Sequence, residues 1–207
     1  MSMPTAVQSK ANATSHRPAK VEAQERLLTH YCVFDSGFGP VGIAWSSKGV
    51  CRLQLPEATL AATERRLLGR GIGAVKSKPP REFERLVADV RRYFLGNHVD
   101  FADVKLDLSE VTTFHRKIYE AALRVGWGET TTYGALAKAA GFPDAARAVG
   151  QAMGRNPIPL IIPCHRVLAS GGKPGGFSAY GGTATKDRML ALEGVCLDSG
   201  APRIPGL

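Results

Sequence analysis

Between Thr29 and Pro56 short apolar runs alternate with small polar turns: THYCVFD, PVGIAWS and VCRLQLP are separated by SGFG and SKG. Runs of this length, rich in Val, Tyr, Phe and Trp and bounded by Gly and Ser, predict strands, and connections this short predict an antiparallel meander. The period then changes. Residues 58–68 and 80–95 predict helices, and in the second Phe83, Leu86, Val87, Val90, Tyr93 and Phe94 recur at the spacing of one helix face. Pro80 opens that helix and Gly96 closes it. Residues 97–112 mix charges with isolated apolar positions and are expected to be a linker.

After residue 112 the pattern is helical again. Phe114, Ile118, Ala121, Ala122 and Val125 mark one helix with Thr113 as its expected cap. Thr132 caps a short helix that runs through Ala140 and stops at Gly141. Pro143 is expected to start a third, with Ala145, Ala148, Val149 and Ala152 as its buried stripe. Two short helices around a tight turn fit a helix-turn-helix, and equally any packed helix pair. The opposite face of the third helix carries Arg147, Gly150, Gln151 and Gly154, so a lone arginine stands among residues with little side chain. Glycine inside a helix costs about 1 kcal/mol relative to alanine. A flat face open to another backbone, such as that of DNA, accounts for that cost.

Composition narrows the partners. At 207 residues and 44% apolar content the chain suffices for two compact units, and 27 Lys+Arg against 18 Asp+Glu give a formal charge of +9. Such an excess favours a polyanion, although many basic proteins bind none. No apolar run approaches the roughly 20 residues that span a bilayer, and residues 1–22 lack the apolar centre of a signal peptide. They are expected to form a disordered basic tail. Cys32, Cys51, Cys164 and Cys196 are dispersed, which fits a reducing cytoplasm rather than a disulfide framework.

The chemistry concentrates at Ile161-Ile162-Pro163-Cys164-His165-Arg166-Val167, which sets a thiol in an apolar segment directly before two basic residues. Nearby cations raise the thiolate fraction, and an imidazole can carry the proton away. A structural cysteine in a buried strand is the alternative for an arbitrary thiol, but such a strand has little use for two basic neighbours. Two other motifs are decoys. Gly37 to Gly42 match the spacing of a dinucleotide loop, yet the continuation IAWS predicts a strand where that motif needs a helix. His30, Cys32, Cys51 and His98 form no recognisable zinc ligand pairs, so no metal is expected.

From Phe114 to Val195, above all in ARAVGQAMGRNPIPLIIPCHRVLASGG and KDRMLALEG, the chain resembles the O6-alkylguanine-DNA alkyltransferases, or methylated-DNA–protein-cysteine methyltransferases. The resemblance implies an α+β protein, with an N-terminal ribonuclease H-like α/β domain over 23–96 and a C-terminal winged helix-turn-helix domain over 113–207. It implies repair of O6-alkylguanine in double-stranded DNA, with minor-groove contact, by a cytoplasmic monomer that needs no cofactor. By the same resemblance Cys164 is the irreversible alkyl acceptor, His165 activates it through a bound water, and Glu193 orients His165. Tyr133 presses on the flipped nucleotide and hydrogen-bonds the guanine. Arg147 fills the gap in the base stack, with Gly150, Gln151 and Arg155 beside it on the DNA-binding face. Asn156 is a hinge, Pro157 and Pro159 wall the pocket, and the carbonyls of Cys164 and Val167 receive the guanine amino group.

Departures from the family pattern cluster near that pocket. Gly126-Trp127-Gly128 replaces a frequent Pro-Tyr-Gly and is expected to alter only a turn. Phe177-Ser178-Ala179-Tyr180 lengthens the pocket loop, where Ser178 and Tyr180 are expected to meet the substrate and the Tyr180 ring to narrow the space. Three competing functions remain at this point. A lesion sensor of the same fold would lack the acceptor cysteine, a transcriptional regulator would need a dimerisation or effector element, and a cysteine hydrolase would need an oxyanion hole.

Overall fold

In the computed structural model, which describes residues 29–69 and 73–197, the three apolar runs form the expected meander. β1 (Thr29–Asp35) pairs antiparallel with β2 (Pro40–Ser46), and β2 with β3 (Gly49–Gln54). Gly37 to Gly42 are therefore a hairpin turn running into a strand, with no helix terminus for a phosphate. The expected tail, 1–22, lies outside the described residues.

Helices cover both faces of this sheet. α1 (Leu60–Leu68) is capped by Thr59, whose Oγ1 accepts from the Ala62 N–H. Its Leu67 packs with Tyr31 and Ala44 on one face. A Cβ at Gly42 would come within 2.9 Å of Leu67, so glycine is what lets the helix approach the strand. α2 (Arg81–Phe94) covers the other face and buries the six apolar residues its periodicity selects. Phe83 packs there against Trp45. Coverage on both sides explains why β2 is buried at five successive positions instead of alternating. β4 (Ala74–Lys76), unforeseen in the sequence, adds in parallel to β1 and completes the order β3-β2-β1-β4. Three residues with an exposed Val75 carry no detectable period.

β3 is an edge strand, and its free backbone groups are used rather than exposed. The Val50 N–H donates to the Lys105 carbonyl, the Asp107 N–H to the Val50 carbonyl, and the Leu53 N–H to the Pro157 carbonyl. Residues 97–112 are thus fastened along the sheet, with Val99, Phe101 and Leu108 buried. One continuous core joins the two halves of the chain.

The second half is built on α3 (Thr113–Ala122), α4 (Tyr133–Ala139) and α5 (Ala146–Gly154), which pack on one another. Two expected boundaries move. Thr112, not Thr113, caps α3, its Oγ1 accepting from the His115 N–H. α5 begins at Ala146 rather than at Pro143, because residues 143–145 complete the turn after Gly141 and Ala145 is the cap. Thr132 caps α4 as expected. β5 (Thr131–Thr132) and β6 (Val167–Leu168) form a small parallel pair, and α6 (Thr183–Leu192) closes the described chain.

Gly49 tests the fastening of residues 105–107. It has φ +140°, and any Cβ there would run into the Lys105 carbonyl. Strain of this kind costs about 1–3 kcal/mol, so Gly49→Ala is expected to lower the melting temperature by roughly 2–12 °C. A variant that melts with the wild type would show that this contact is dispensable.

Candidate active site

The thiol is placed by a loop that cannot relax freely. Asn156 brackets it: its Oδ1 accepts from the Ile158 N–H at 3.0 Å and its Nδ2 donates to the Ile162 carbonyl at 2.8 Å. Between those bonds Leu160 has φ +78°, a left-handed conformation that a branched side chain resists. The buried Leu160 and Ile162 side chains and the Asn156 bonds hold it there. The loop delivers Cys164, buried at 7% exposure, to the start of a single tight helical turn, Cys164–Arg166.

That turn points the next two side chains into a buried charge network centred on Glu193, the C-terminal cap of α6. His165 Nε2 lies 2.8 Å from Glu193 Oε1. The Arg166 guanidinium donates from Nε to Oε2 at 2.8 Å and from Nη2 to Oε1 at 3.0 Å, and its Nη1 donates to the Val125 carbonyl. From α2 the Tyr93 hydroxyl donates to Oε1 at 2.7 Å and stands 3.2 Å from His165 Nε2. The Gly128 N–H adds a longer contact to Oε2 at 3.4 Å.

Electrostatics follow from this geometry. Burial alone would raise the Glu193 pKa, but the hydrogen bonds from His165 and Arg166 and the guanidinium charge bring it down to about 2. Burial drives His165 the other way, below its ordinary value, so the ring is neutral at pH 7. A neutral imidazole facing an ionised carboxylate through Nε2 must carry its proton there. Nδ1 is then left with a lone pair, buried and with no hydrogen-bond partner among the described residues. Burial also raises the Cys164 pKa, opposed by the Asn156 side chain and the charge of Lys186. The resting thiol is protonated and needs a base at hand. Lys186 is itself fully buried, its pKa lowered by burial to about 8, and it donates to the carbonyls of Val167 and Pro174.

A cavity of about 270 Å³ adjoins Cys164. Asn156, Pro157, Pro159, Arg155 and Ser178 line it, as does Phe177 of the extended loop. Tyr180 does not: its ring is 55% exposed, and Phe177 and Ala179 take the wall instead. Val167 is buried with its carbonyl already engaged by Lys186 at 2.6 Å. Tyr133 stands half-buried at the start of α4, its hydroxyl 3.4 Å from the Gly176 carbonyl and its ring against Gly150 and Gly175. Arg147, Gln151 and Arg155 are exposed, apart from the buried network.

Arg166 was expected to favour the thiolate as a cation beside Cys164; its guanidinium is instead taken up by Glu193, and Lys186 is the cation that acts on the thiol. Tyr93 and Lys186 had no expected role: Tyr93 repeats like any core aromatic of α2, and Lys186 falls in a helix without a clear apolar face, so neither was distinguishable. Gly126 to Gly128 do more than form a turn, since Trp127 meets the Tyr93 ring edge-on at 5.4 Å and Gly128 reaches Glu193. Among the described residues no cluster of three or more His, Cys, Asp or Glu could hold a metal, and no helix is long and apolar enough to cross a membrane.

Residues 113–195 match the family model of the 6-O-methylguanine DNA methyltransferase DNA-binding domain. The chain is 36% identical over 166 residues to a methylated-DNA–protein-cysteine methyltransferase of Mycobacterium tuberculosis, covering 80% of this chain and 93% of the relative. It is 34% identical over 176 residues to the protein of that name from Methanosarcina acetivorans, covering 81% and 99%. Its fold resembles the crystal structure of Mycobacterium tuberculosis OGT in complex with DNA, with TM-score 0.66 and 37% identity over 79% of this chain and 92% of that one. The O6-methylguanine-DNA methyltransferase of Pyrococcus kodakaraensis matches with TM-score 0.61 and 32% identity, covering 81% and 100%.

Arg166→Met tests the charge network. Removing one partner of a buried pair costs about 3–5 kcal/mol, because the other charge stays uncompensated. In the wild type both depressed groups stabilise the fold at neutral pH: the His165 contribution declines as pH falls below about 6.5, and that of Glu193 below about 4.3. In the variant Glu193 loses its fixed cation and its pKa rises, so protonation relieves it. The stability deficit should be largest near pH 7 and smaller near pH 5, measured by denaturant unfolding. A deficit below about 1 kcal/mol, or one that grows on acidification, would contradict the network.

Proposed function

This chain belongs to the methylated-DNA–protein-cysteine methyltransferase family, and we propose that Cys164 is its alkyl acceptor, with His165, Glu193 and Tyr133 as the groups that drive the transfer. It is a DNA repair protein that removes an alkyl group from O6 of guanine and keeps it. The observation that carries the residue assignment is the 2.8 Å contact of His165 Nε2 with the buried Glu193 carboxylate. Glu193 fixes the Nε2–H tautomer and leaves Nδ1 as the acceptor for the thiol proton, relayed by a water, on the residue next to Cys164.

The reaction requires the lesion to leave the duplex, at a cost of a few kcal/mol that is lower for a damaged pair. Arg147, exposed on the face of α5 that also carries Gly150 and Gln151, occupies the vacated stack, and Arg155 supports the strand. This arrangement suits a helix-turn-helix of α4 and α5 docked in the minor groove, within a winged domain over 113–207. The sheet with α1 and α2 corresponds to a ribonuclease H-like domain over 23–96, joined by 97–112. The thiolate sulfur attacks the alkyl carbon in line, the carbon–O6 bond breaks, and guanine departs as an anion that Tyr133 stabilises by a hydrogen bond. Asn156 and Pro159 hold the thiol loop, while Ser178 and the main chain around Val167 frame the base.

A thioether is not hydrolysed, so each molecule acts once as a monomer and no cofactor is consumed. The four cysteines are unpaired, in keeping with an acceptor thiol that works in a reducing cytoplasm.

Intact-protein mass spectrometry after mixing with duplex DNA carrying O6-methylguanine tests the assignment. One methyl per chain, mapped to Cys164, is expected, with none on Cys164→Ala although that variant still binds the duplex. Tight binding by the wild type with no mass change would make the chain a sensor instead.

A further inference from the structure

The cavity beside Cys164 is far larger than a methyl group needs. Its volume is about 270 Å³, whereas a site for one water needs only about 10–15 Å³. Part of its wall comes from the N-terminal half of the chain, because the Leu53–Pro157 hydrogen bond draws β3 against the thiol loop. Leu53, Leu55, Met153, Pro159 and Phe177 form an apolar class of lining residues and Arg52, Arg66 and Arg155 a cationic class, beside the neutral polar Gln54, Asn156 and Ser178; among the described residues no acidic side chain lines the cavity.

Burial orders these classes. Cys164 is 7% exposed and lies at the inner end, while the Arg66 side chain is 62% exposed and lies at the mouth. Arg52 is held in place by donating from Nη1 to the Leu67 carbonyl at 3.0 Å, which leaves most of its five donors unused by that bond. Among the described residues the acidic partner of Arg66 is Glu57, whose side chain is only 18% exposed and stands 3.9 Å away, too far for a hydrogen bond. That contact leaves the guanidinium donors of Arg66 unsaturated. A group reaching outward from the sulfur would thus cross apolar surface and end among guanidinium groups.

We infer that this pocket accepts O6-alkyl groups with an apolar spacer and a terminal carboxylate, and that Arg52 and Arg66 are specificity-determining residues for them. The inference rests on Cys164 as the acceptor. The chemistry is that of the methyl case. The Cys164 sulfur bonds to the carbon attached to O6, the carbon–O6 bond breaks, and guanine takes the electron pair and then a proton. The thiol proton goes to His165, and the distant carboxylate is unchanged.

The test uses free bases, so that contacts to DNA do not enter. O6-(4-carboxybenzyl)guanine is compared with its neutral isostere O6-(4-carbamoylbenzyl)guanine, reading the second-order rate of Cys164 alkylation. The wild type is expected to favour the carboxylate at low salt, with a preference that shrinks as salt rises. Arg66→Gln, a substitution at an exposed position, is expected to cut the ratio of the two rates, and Arg52→Gln with it to cut the ratio about three- to tenfold. A wild-type ratio at or below one, or a ratio unmoved by Arg66→Gln, overturns the inference. If that ratio is unmoved while affinity for duplex DNA falls, the arginines serve the phosphate backbone instead. Methyl transfer from DNA is followed in parallel: its absence from the wild type would remove the acceptor assignment itself, whereas normal methyl transfer with no carboxylate preference removes only this inference.

Discussion

Everything near the thiol depends on one buried carboxylate. Glu193 ends a helix, where the backbone dipole disfavours negative charge by a few tenths of a kcal/mol to about 1 kcal/mol, and it is only 4% exposed. It stays ionised because a bidentate guanidinium, an imidazole N–H and a phenol hydroxyl converge on it. The same bonds that stabilise the carboxylate fix the ring of His165, so electrostatic necessity and catalytic orientation are one arrangement. An anion that met only solvent there would leave the imidazole free to rotate and to exchange tautomers.

The rest of the fold brings these groups to one place. Arg166 and His165 come from the turn after the thiol loop, Glu193 from the end of α6, and Tyr93 from α2 in the first half of the chain. The shared core and the β3 edge, tied to both Lys105 and Pro157, make the two halves a single frame for the site. The first half of the chain is therefore more than a support, since α2 contributes the Tyr93 hydroxyl to the Glu193 network and β3 a wall to the cavity.

Much of this was legible in the sequence, and the parts that were not share a physical cause. Short apolar runs between small polar turns and a helix stripe specify local structure, so the meander and the apolar face of α2 could be read directly. The Cys-His-Arg segment marked the thiol because basic residues beside it have no structural purpose in a strand. Tyr93 could not be read, since a tyrosine whose ring fills a core and whose hydroxyl serves a distant carboxylate repeats like any other apolar residue. β4 has too few residues to show a period, and the start of α5 was misplaced because Pro143 fits a turn as well as a first helical residue. Tyr180 was expected at the pocket from its register beside Gly181, yet the longer loop turns Phe177 inward instead.

His165 rests as a neutral imidazole protonated on Nε2, with Nδ1 open to the thiol proton. Nitrogen-15 NMR of the histidine-labelled protein distinguishes the two ring nitrogens and the two tautomers directly. At pH 7 to 8 a pyrrole-type Nε2 and a pyridine-type Nδ1 are expected for His165, with the neutral ring persisting to lower pH than in a free imidazole. A proton on Nδ1, or an imidazolium at pH 7, would contradict this assignment.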